Sequence, residues 1–318
     1  MGLVREQACP LCDGVRRFMY HWNGFALYRC GKCGTESVDP MPDAEELGVF
    51  YQAISAKKMT GWERRLGRVK VAFDGYMDRY RELVGGGNPA SFLDVGGGVG
   101  YYARAAQDLG IDACLVDWAG DALLFTRRTL GVAKVVRADV QRCGDIFAPG
   151  SFDFVLARHT IEHMLDPGLF LRQIATVLRP GGLLRVETPN VASWEQFRHP
   201  GVMLESYRLI RSANPKMKIS TAAAGTLTKS VSGVNPPKHL WGFTPTGLTM
   251  LLLGHGFEVA RVERAVAGHS IFDPLYFDLQ GERPQTVFSG AHDLWRRAAT
   301  PLFAGRGTNL AITALRRS

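Results

Sequence analysis

The sequence predicts an α/β fold built on an open sheet, and three observations carry that expectation. Residues 91–117 read as strand, glycine turn, helix and strand. Apolar runs of strand length then alternate with amphipathic stretches of helix length to about residue 260. The 318 residues suffice to bury such a core and still carry a small accessory module, which paired cysteines near the start supply.

In the central unit, Phe92, Leu93 and Val95 form the first strand, Gly96, Gly98 and Gly100 follow at alternate positions, and residues 101–109 support a helix before the strand at 113–116. Glycines at such a turn allow positive φ and close approach of a ligand, while the helix start offers unpaired N–H groups. Asp117 closes the second strand 23 positions after Asp94, where a carboxylate can accept from both hydroxyls of a ribose. The pattern points to an adenosine-bearing ligand without saying which.

Residues 1–40 hold Cys9-Pro-Leu-Cys12 and Cys30-Gly-Lys-Cys33, two C-x2-C pairs separated by 17 residues. Each pair can aim two thiolates at one ion, and four sulfurs complete a tetrahedral structural zinc site with no open position for catalysis. Residues 20–22 and 25–28 read as short strands of a zinc ribbon, and His21 is a competing ligand. Disulfides or redox pairs are the alternatives. They fit poorly with the cytoplasmic address expected of a chain whose start lacks the apolar stretch of a signal peptide. Cys114 and Cys143 stand alone and are expected in the core.

The chain divides into the ribbon at 1–40, a helical connector at 41–88, and an α/β domain at 89–318 with an insertion near 191–237. The connector spaces Val69, Phe73, Tyr76, Met77, Tyr80 and Val84 as one helix face. It is either a lid over the ligand or a packing helix. Lys and Arg outnumber Asp and Glu by 38 to 30, a net +8, but the basic residues are scattered, which reads first as solvated surface. No apolar run is long enough to span a bilayer.

Beyond Asp117, a helix around 122–130 leads to a strand at 134–137 that ends at Asp139. Residues 151–157 form a fourth strand, followed by Arg158-His-Thr-Ile-Glu-His163-Met-Leu-Asp-Pro167, a helix at 169–178, and Arg179-Pro-Gly-Gly182 turning into a strand at 183–188. Asp94-Val-Gly96-Gly-Gly98-Val-Gly100, the Glu-His…Asp-Pro loop and the Pro-Gly-Gly turn together resemble the motifs of class I S-adenosylmethionine-dependent methyltransferases of the small-molecule type, over roughly residues 90–260. The resemblance implies a Rossmann-like seven-stranded sheet whose last strand, at 308–315, runs antiparallel. It also implies an S-adenosylmethionine site built from Asp94, Gly96, Gly98, Gly100 and Asp117, with Asp139 at the adenine unless it is a loop cap. Trp118, Val140 and Arg158 join the cofactor candidates.

His159-Thr-Ile-Glu162-His163 also spells H-x-x-E-H, but it follows a buried strand and precedes Asp166-Pro167, which leaves a short turn rather than a peptidase helix. His159 is the first candidate for a base that takes the proton of an acceptor hydroxyl, and His239 the second; either can instead be structural. Trp194, Phe197, Arg198, His199 and Tyr207 are candidate acceptor contacts within the insertion, and residues 294–303 a candidate membrane-surface segment. The expected reaction is methylation of a small or sugar-like acceptor, at oxygen first and carbon second. Ribosomal-RNA methylation and a non-catalytic docking protein are the rivals. RNA is a less favoured partner, and the sequence is silent on oligomeric state.

Overall fold

The computed structural model describes residues 7–22, 24–43, 47, 59, 61–192, 218–220, 234, 236–265 and 309–317. The expectations at Trp194, Phe197, Arg198, His199, Tyr207 and 294–303 lie outside these residues. The chain forms two compact units. One comprises Met1–Met41, Pro189–Leu248 and Glu263–Ala311, and the other Pro42–Thr188, Thr249–Val262 and Ile312–Ser318.

In the first unit, β1 (Gln7–Ala8), β2 (Val15–Trp22), β3 (Phe25–Cys30) and β4 (Glu36–Asp39) make an antiparallel meander. Its fifth strand comes from far along the chain, where β10 (Trp241–Gly242) pairs with β4 through Trp241↔Ser37 and Gly242↔Glu36. The compact unit therefore runs well past residue 40. Thr244 closes the joint: its hydroxyl donates to the Cys33 carbonyl at 2.6 Å and accepts from Gly247 N at 2.9 Å, capping the helix that starts at Pro245.

The second unit begins with α1 (Trp62–Val84), which ends at Gly85 in the left-handed conformation, φ 73. The chain then alternates β5 (Ser91–Val95), α2 (Tyr101–Asp108), β6 (Asp112–Asp117), α3 (Gly120–Arg128), β7 (Lys134–Arg137), the short α4 (Cys143–Ile146), β8 (Phe152–Arg158), α5 (Pro167–Val177) and β9 (Leu178–Pro189). After these come α6 (Pro245–Leu253), β11 (Phe257–Ala265) and β12 (Asn309–Arg316). The seven strands lie in the order β11-β12-β9-β8-β5-β6-β7, the Rossmann-like arrangement expected, with β7, β6, β5, β8 and β9 parallel.

The strand order reverses at β5, whose neighbours are β6 on one side and β8 on the other. The carboxyl ends of β5 and β8 therefore border the crevice where open α/β sheets take their ligands. One face of the sheet is covered by α1. Phe73, Tyr76, Met77 and Tyr80 pack with Phe92, Phe154, Leu156 and Leu183, and the Phe73 and Phe92 rings sit 5.2 Å apart. The described part of the connector thus packs on the sheet. Burial of each such Phe contributes roughly 1.5–3 kcal/mol.

One boundary differs from expectation, and the turn expected after β8 is found. The Pro-Gly-Gly segment does not precede β9 but lies within it: Phe152 pairs with Leu178 and Phe154 with Leu183, so residues 179–182 bulge out of register. Residues 161–163 form one 3-10 turn, too short to carry two histidines on a helix face.

Candidate cofactor crevice and cysteine cluster

The glycine turn is shaped from below. Asp94 is 1% exposed, its carboxylate accepts from Ala103 N at 3.3 Å, and a Cβ at Gly97 would lie 2.3 Å from that carboxylate. Gly96 and Gly100 are equally confined, since added Cβ atoms would lie 2.7 Å from the Thr160 side chain and 2.6 Å from that of Thr126. Gly98 differs: at φ +57 its Cβ position meets nothing within 4 Å. Three of these glycines thus serve packing, and Gly98 lines open space. Gly97 escaped the sequence reading because the requirement at that position comes from Asp94, three residues back.

Asp117 faces the same turn. Its Oδ2 accepts from Gly98 N at 2.8 Å and its Oδ1 from Ala119 N at 2.8 Å, which fixes the carboxylate while each oxygen keeps a second lone pair. Beside it Trp118 is 46% exposed, with the Arg137 guanidinium 5.9 Å from its ring centre. Asp139 caps the turn that starts at Val140, as its Oδ1 accepts from Gln141 N at 2.9 Å; its Oδ2 has no hydrogen-bond partner among the described residues. Val140 is buried and its carbonyl accepts from the Cys143 thiol. The open lone pairs of Asp117 above Gly98 can accept from a pair of hydroxyls, and the chain carries an exposed aromatic ring at Trp118 and a spare acceptor at Asp139.

The loop after β8 departs from ordinary backbone. His159 sits at φ 51, a conformation that costs a non-glycine residue on the order of 1 kcal/mol. The backbone N–H of His159 donates to the Glu187 carbonyl at 2.8 Å, and Nδ1 lies 3.2 Å from Oε1 of the fully buried Glu162. Thr160 ties the loop to β5 by donating to the Val95 carbonyl at 2.9 Å. His239 belongs to the first unit and is half-buried just before β10.

Behind Arg158 lies a group of charges that the sequence reading missed. Glu187 accepts from Arg158 Nε at 3.0 Å, Arg185 Nε at 2.8 Å and Tyr76 OH at 2.7 Å. The two guanidinium groups hold its carboxyl down at about 2 despite burial. The available signal was Arg185-Val-Glu187: positions i and i+2 of a strand share a face, and an apolar strand admits charges there only when they are paired. Asp94 shows the opposite behaviour, as burial raises it to about 7.

In the first unit Cys9, Cys12, Cys30 and Cys33 place their four sulfurs within 4.8 Å of one another. The separations Cys9–Cys33 3.9 Å and Cys12–Cys30 3.5 Å are close to the roughly 3.8 Å edge of a tetrahedron with zinc–sulfur bonds of ~2.3 Å. Lys32 N and Cys33 N donate to Cys30 Sγ, and a Cβ at Gly14 would lie 2.9 Å from that sulfur. None of the six cysteines is in a disulfide. His21 is exposed on β2, packed 4.9 Å from the Phe18 ring and outside the cluster. Cys114 and Cys143 are buried, as expected, and burial raises their thiols to about 11 and about 12.

The family model described as a methyltransferase domain matches residues 69–262. The chain belongs to this family. Its sheet order makes it a class I S-adenosylmethionine-dependent methyltransferase by fold. Among curated relatives, a ubiquinone biosynthesis O-methyltransferase of Xanthomonas euvesicatoria is 35% identical over 119 residues, 36% of this chain and 48% of that protein. Its counterpart in Xanthomonas campestris is 37% identical over 105 residues, 32% of this chain and 44% of that protein. This chain thus spans about half the length of the curated relatives it matches. A crystal structure of Burkholderia thailandensis 1,6-didemethyltoxoflavin-N1-methyltransferase aligns with 95% of this chain and 100% of its own, at 14% identity and a TM-score of 0.49. Among the described residues no helix is long and apolar enough to cross a membrane.

The opposed shifts give Asp94 a measurable signature. Its folded value lies above the ordinary 3.8, so the folded chain holds a proton that the unfolded chain releases, and stability falls as pH rises from about 4 to about 7. At ~1.4 kcal/mol per unit, the cost reaches a few kcal/mol above pH 7. In the ligand-free protein Asp94→Asn is therefore expected to melt higher than wild type at pH 8, and the gap should close toward pH 4. Thermal melts across that range check this; equal melting temperatures at pH 8 would refute it.

Proposed function

We propose that this protein transfers the methyl group of S-adenosylmethionine to a hydroxyl oxygen of a small-molecule acceptor. The observation that carries the reading is the Asp117 carboxylate, fixed by Gly98 N and Ala119 N with lone pairs to spare above the one open glycine of the turn. Membership of the methyltransferase-domain family and the O-methyltransferase names of the partial relatives support it.

When bound, the cofactor would supply an electrophilic sulfonium methyl group, with the neutral thioether as leaving group once the acceptor oxygen bonds the methyl carbon in line. Asp117 holds the ribose, Trp118 and Asp139 border the adenine, and Asp94 acts from beneath by keeping the turn in shape. His159 takes the acceptor proton. Glu162 positions it by accepting from Nδ1, which leaves Nε2 as the basic nitrogen of the ring. The uncommon backbone at His159 is held by the Glu187 carbonyl, and strain retained at a ligand edge fits a residue whose aim matters. His239, in the first unit, is the second candidate for a general base or a substrate contact.

Calorimetric titration with S-adenosylmethionine tests the cofactor assignment. Wild type should bind, and Asp117→Ala should weaken binding at least about tenfold through loss of charge-assisted bonds to both hydroxyls. Absence of binding to folded wild type, or unchanged binding by the variant, would contradict it.

The cysteine cluster is read as a structural zinc site, since its four sulfurs already stand at tetrahedral separations and the fourth ligand leaves no place for a substrate. Hydrogen bonding from the Cys9 thiol draws Cys33 down toward the thiolate that a metal needs. Elemental analysis of purified protein should find one zinc per chain, lost in Cys30→Ser. A metal-free wild type that folds with all four thiols titratable would refute the assignment.

A further inference from the structure

Arg158 carries more donors than the fold uses. It closes β8 next to β5, at the point where the strand order reverses. Its Nε is committed to Glu187 at 3.0 Å, and its guanidinium carbon stands 5.6 Å from the centre of the Tyr102 ring, which in turn stacks on Tyr76 at 5.6 Å and 11°. These contacts fix the plane of the group. Both terminal amino groups of Arg158 lack a hydrogen-bond partner among the described residues, while the side chain keeps 19% exposure.

Two guanidinium groups, Arg158 and Arg185, share the single carboxylate of Glu187, and Arg185 spends a further donor on the Thr313 hydroxyl at 3.1 Å. Asp94, which also feels the Arg158 charge, turns its own bond to Ala103 N. A largely buried guanidinium with its forked edge unspent is matched by a planar anion. Arginine meets a carboxylate through two parallel bonds, and removal from water strengthens them.

We infer that the Nη1/Nη2 edge of Arg158 is a binding site for a ligand carboxylate, with Glu187 and Tyr102 as positioning residues that hold the fork. Building on the methyl-transfer reading, two molecules can bring that group: the cofactor, through the carboxylate of its amino-acid tail, and an acceptor that carries a carboxylate of its own. Both place the anion at the carboxyl end of β8.

The experiment compares S-adenosylhomocysteine with 5′-methylthioadenosine, which shares the adenosine but has no carboxylate. Calorimetry is run on wild type, Arg158→Gln and Arg158→Lys. If the cofactor brings the group, Arg158→Gln weakens S-adenosylhomocysteine about tenfold or more and leaves methylthioadenosine within about twofold, with the lysine variant in between because it keeps charge without a fork. Methylthioadenosine also reports folding, since a collapsed variant would lose both ligands alike. If the acceptor brings it, S-adenosylhomocysteine is unaffected. In its presence wild type then prefers 3,4-dihydroxybenzoate to catechol, and Arg158→Gln loses that preference. Unchanged binding of S-adenosylhomocysteine together with no Arg158-dependent preference between the two probes overturns the inference, as does equal loss of both adenosine ligands. Wild type that binds neither adenosine ligand overturns the methyl-transfer reading as well, so the two failures are told apart.

Discussion

A buried carboxylate beneath a glycine turn is the constraint on which the cofactor crevice depends. Asp94 occupies the space that a side chain at position 97 would need, and its bond to Ala103 N ties the turn to the first turns of α2. The turn can then bring Gly98 N to Asp117, and Asp117 receives its orientation from that bond and from Ala119 N. Thr160 and Thr126 fill the space beside Gly96 and Gly100, so the loop after β8 and the helix α3 brace the same few residues. Burial of Asp94 costs free energy when it is ionised, a cost the fold accepts to shape the glycine turn.

The second buried carboxylate works differently. Glu187 is kept ionised by Arg158 and Arg185, and Tyr76 adds a third donor from the helix that covers the sheet. One carboxylate thus links the connector helix α1, the end of β8 and the strand β9. The packing helix and the crevice edge are therefore coupled through hydrogen bonds as well as through apolar contact. The cysteine unit is joined to its own neighbours in a comparable way, since β10 extends its sheet and Thr244 bonds the Cys33 carbonyl. Sulfur geometry and sheet pairing there reinforce each other.

Much of this was legible in the sequence because local signals agreed with the global fold. Apolar runs bounded by glycines gave β5, β6, β7 and β8 to within a residue or two, and C-x2-C spacing gave the sulfur cluster, since a turn of that length has few ways to aim two thiolates. What escaped notice depended on residues distant in the chain. β10 has two residues and exists only because β4 offers an edge. The displaced register at 179–182 follows from the pairing of β8 with β9, which a period of two does not reveal. The left-handed backbone of His159 answers to Glu187, twenty-eight positions on, and the need for glycine at 97 answers to a side chain. His21, chemically a fair ligand, points elsewhere because β2 carries it to the face of Phe18.

Whether Asp117 seats an adenosine is measured directly by a crystal structure of the protein with S-adenosylhomocysteine. The expected result is both ribose hydroxyls within ~2.5–3.0 Å of the Asp117 carboxylate, the Gly98 and Ala119 bonds retained, and the adenine between Trp118 and Asp139. A ligand bound with its ribose away from Asp117, or an Asp117 carboxylate turned out of the crevice, would contradict it.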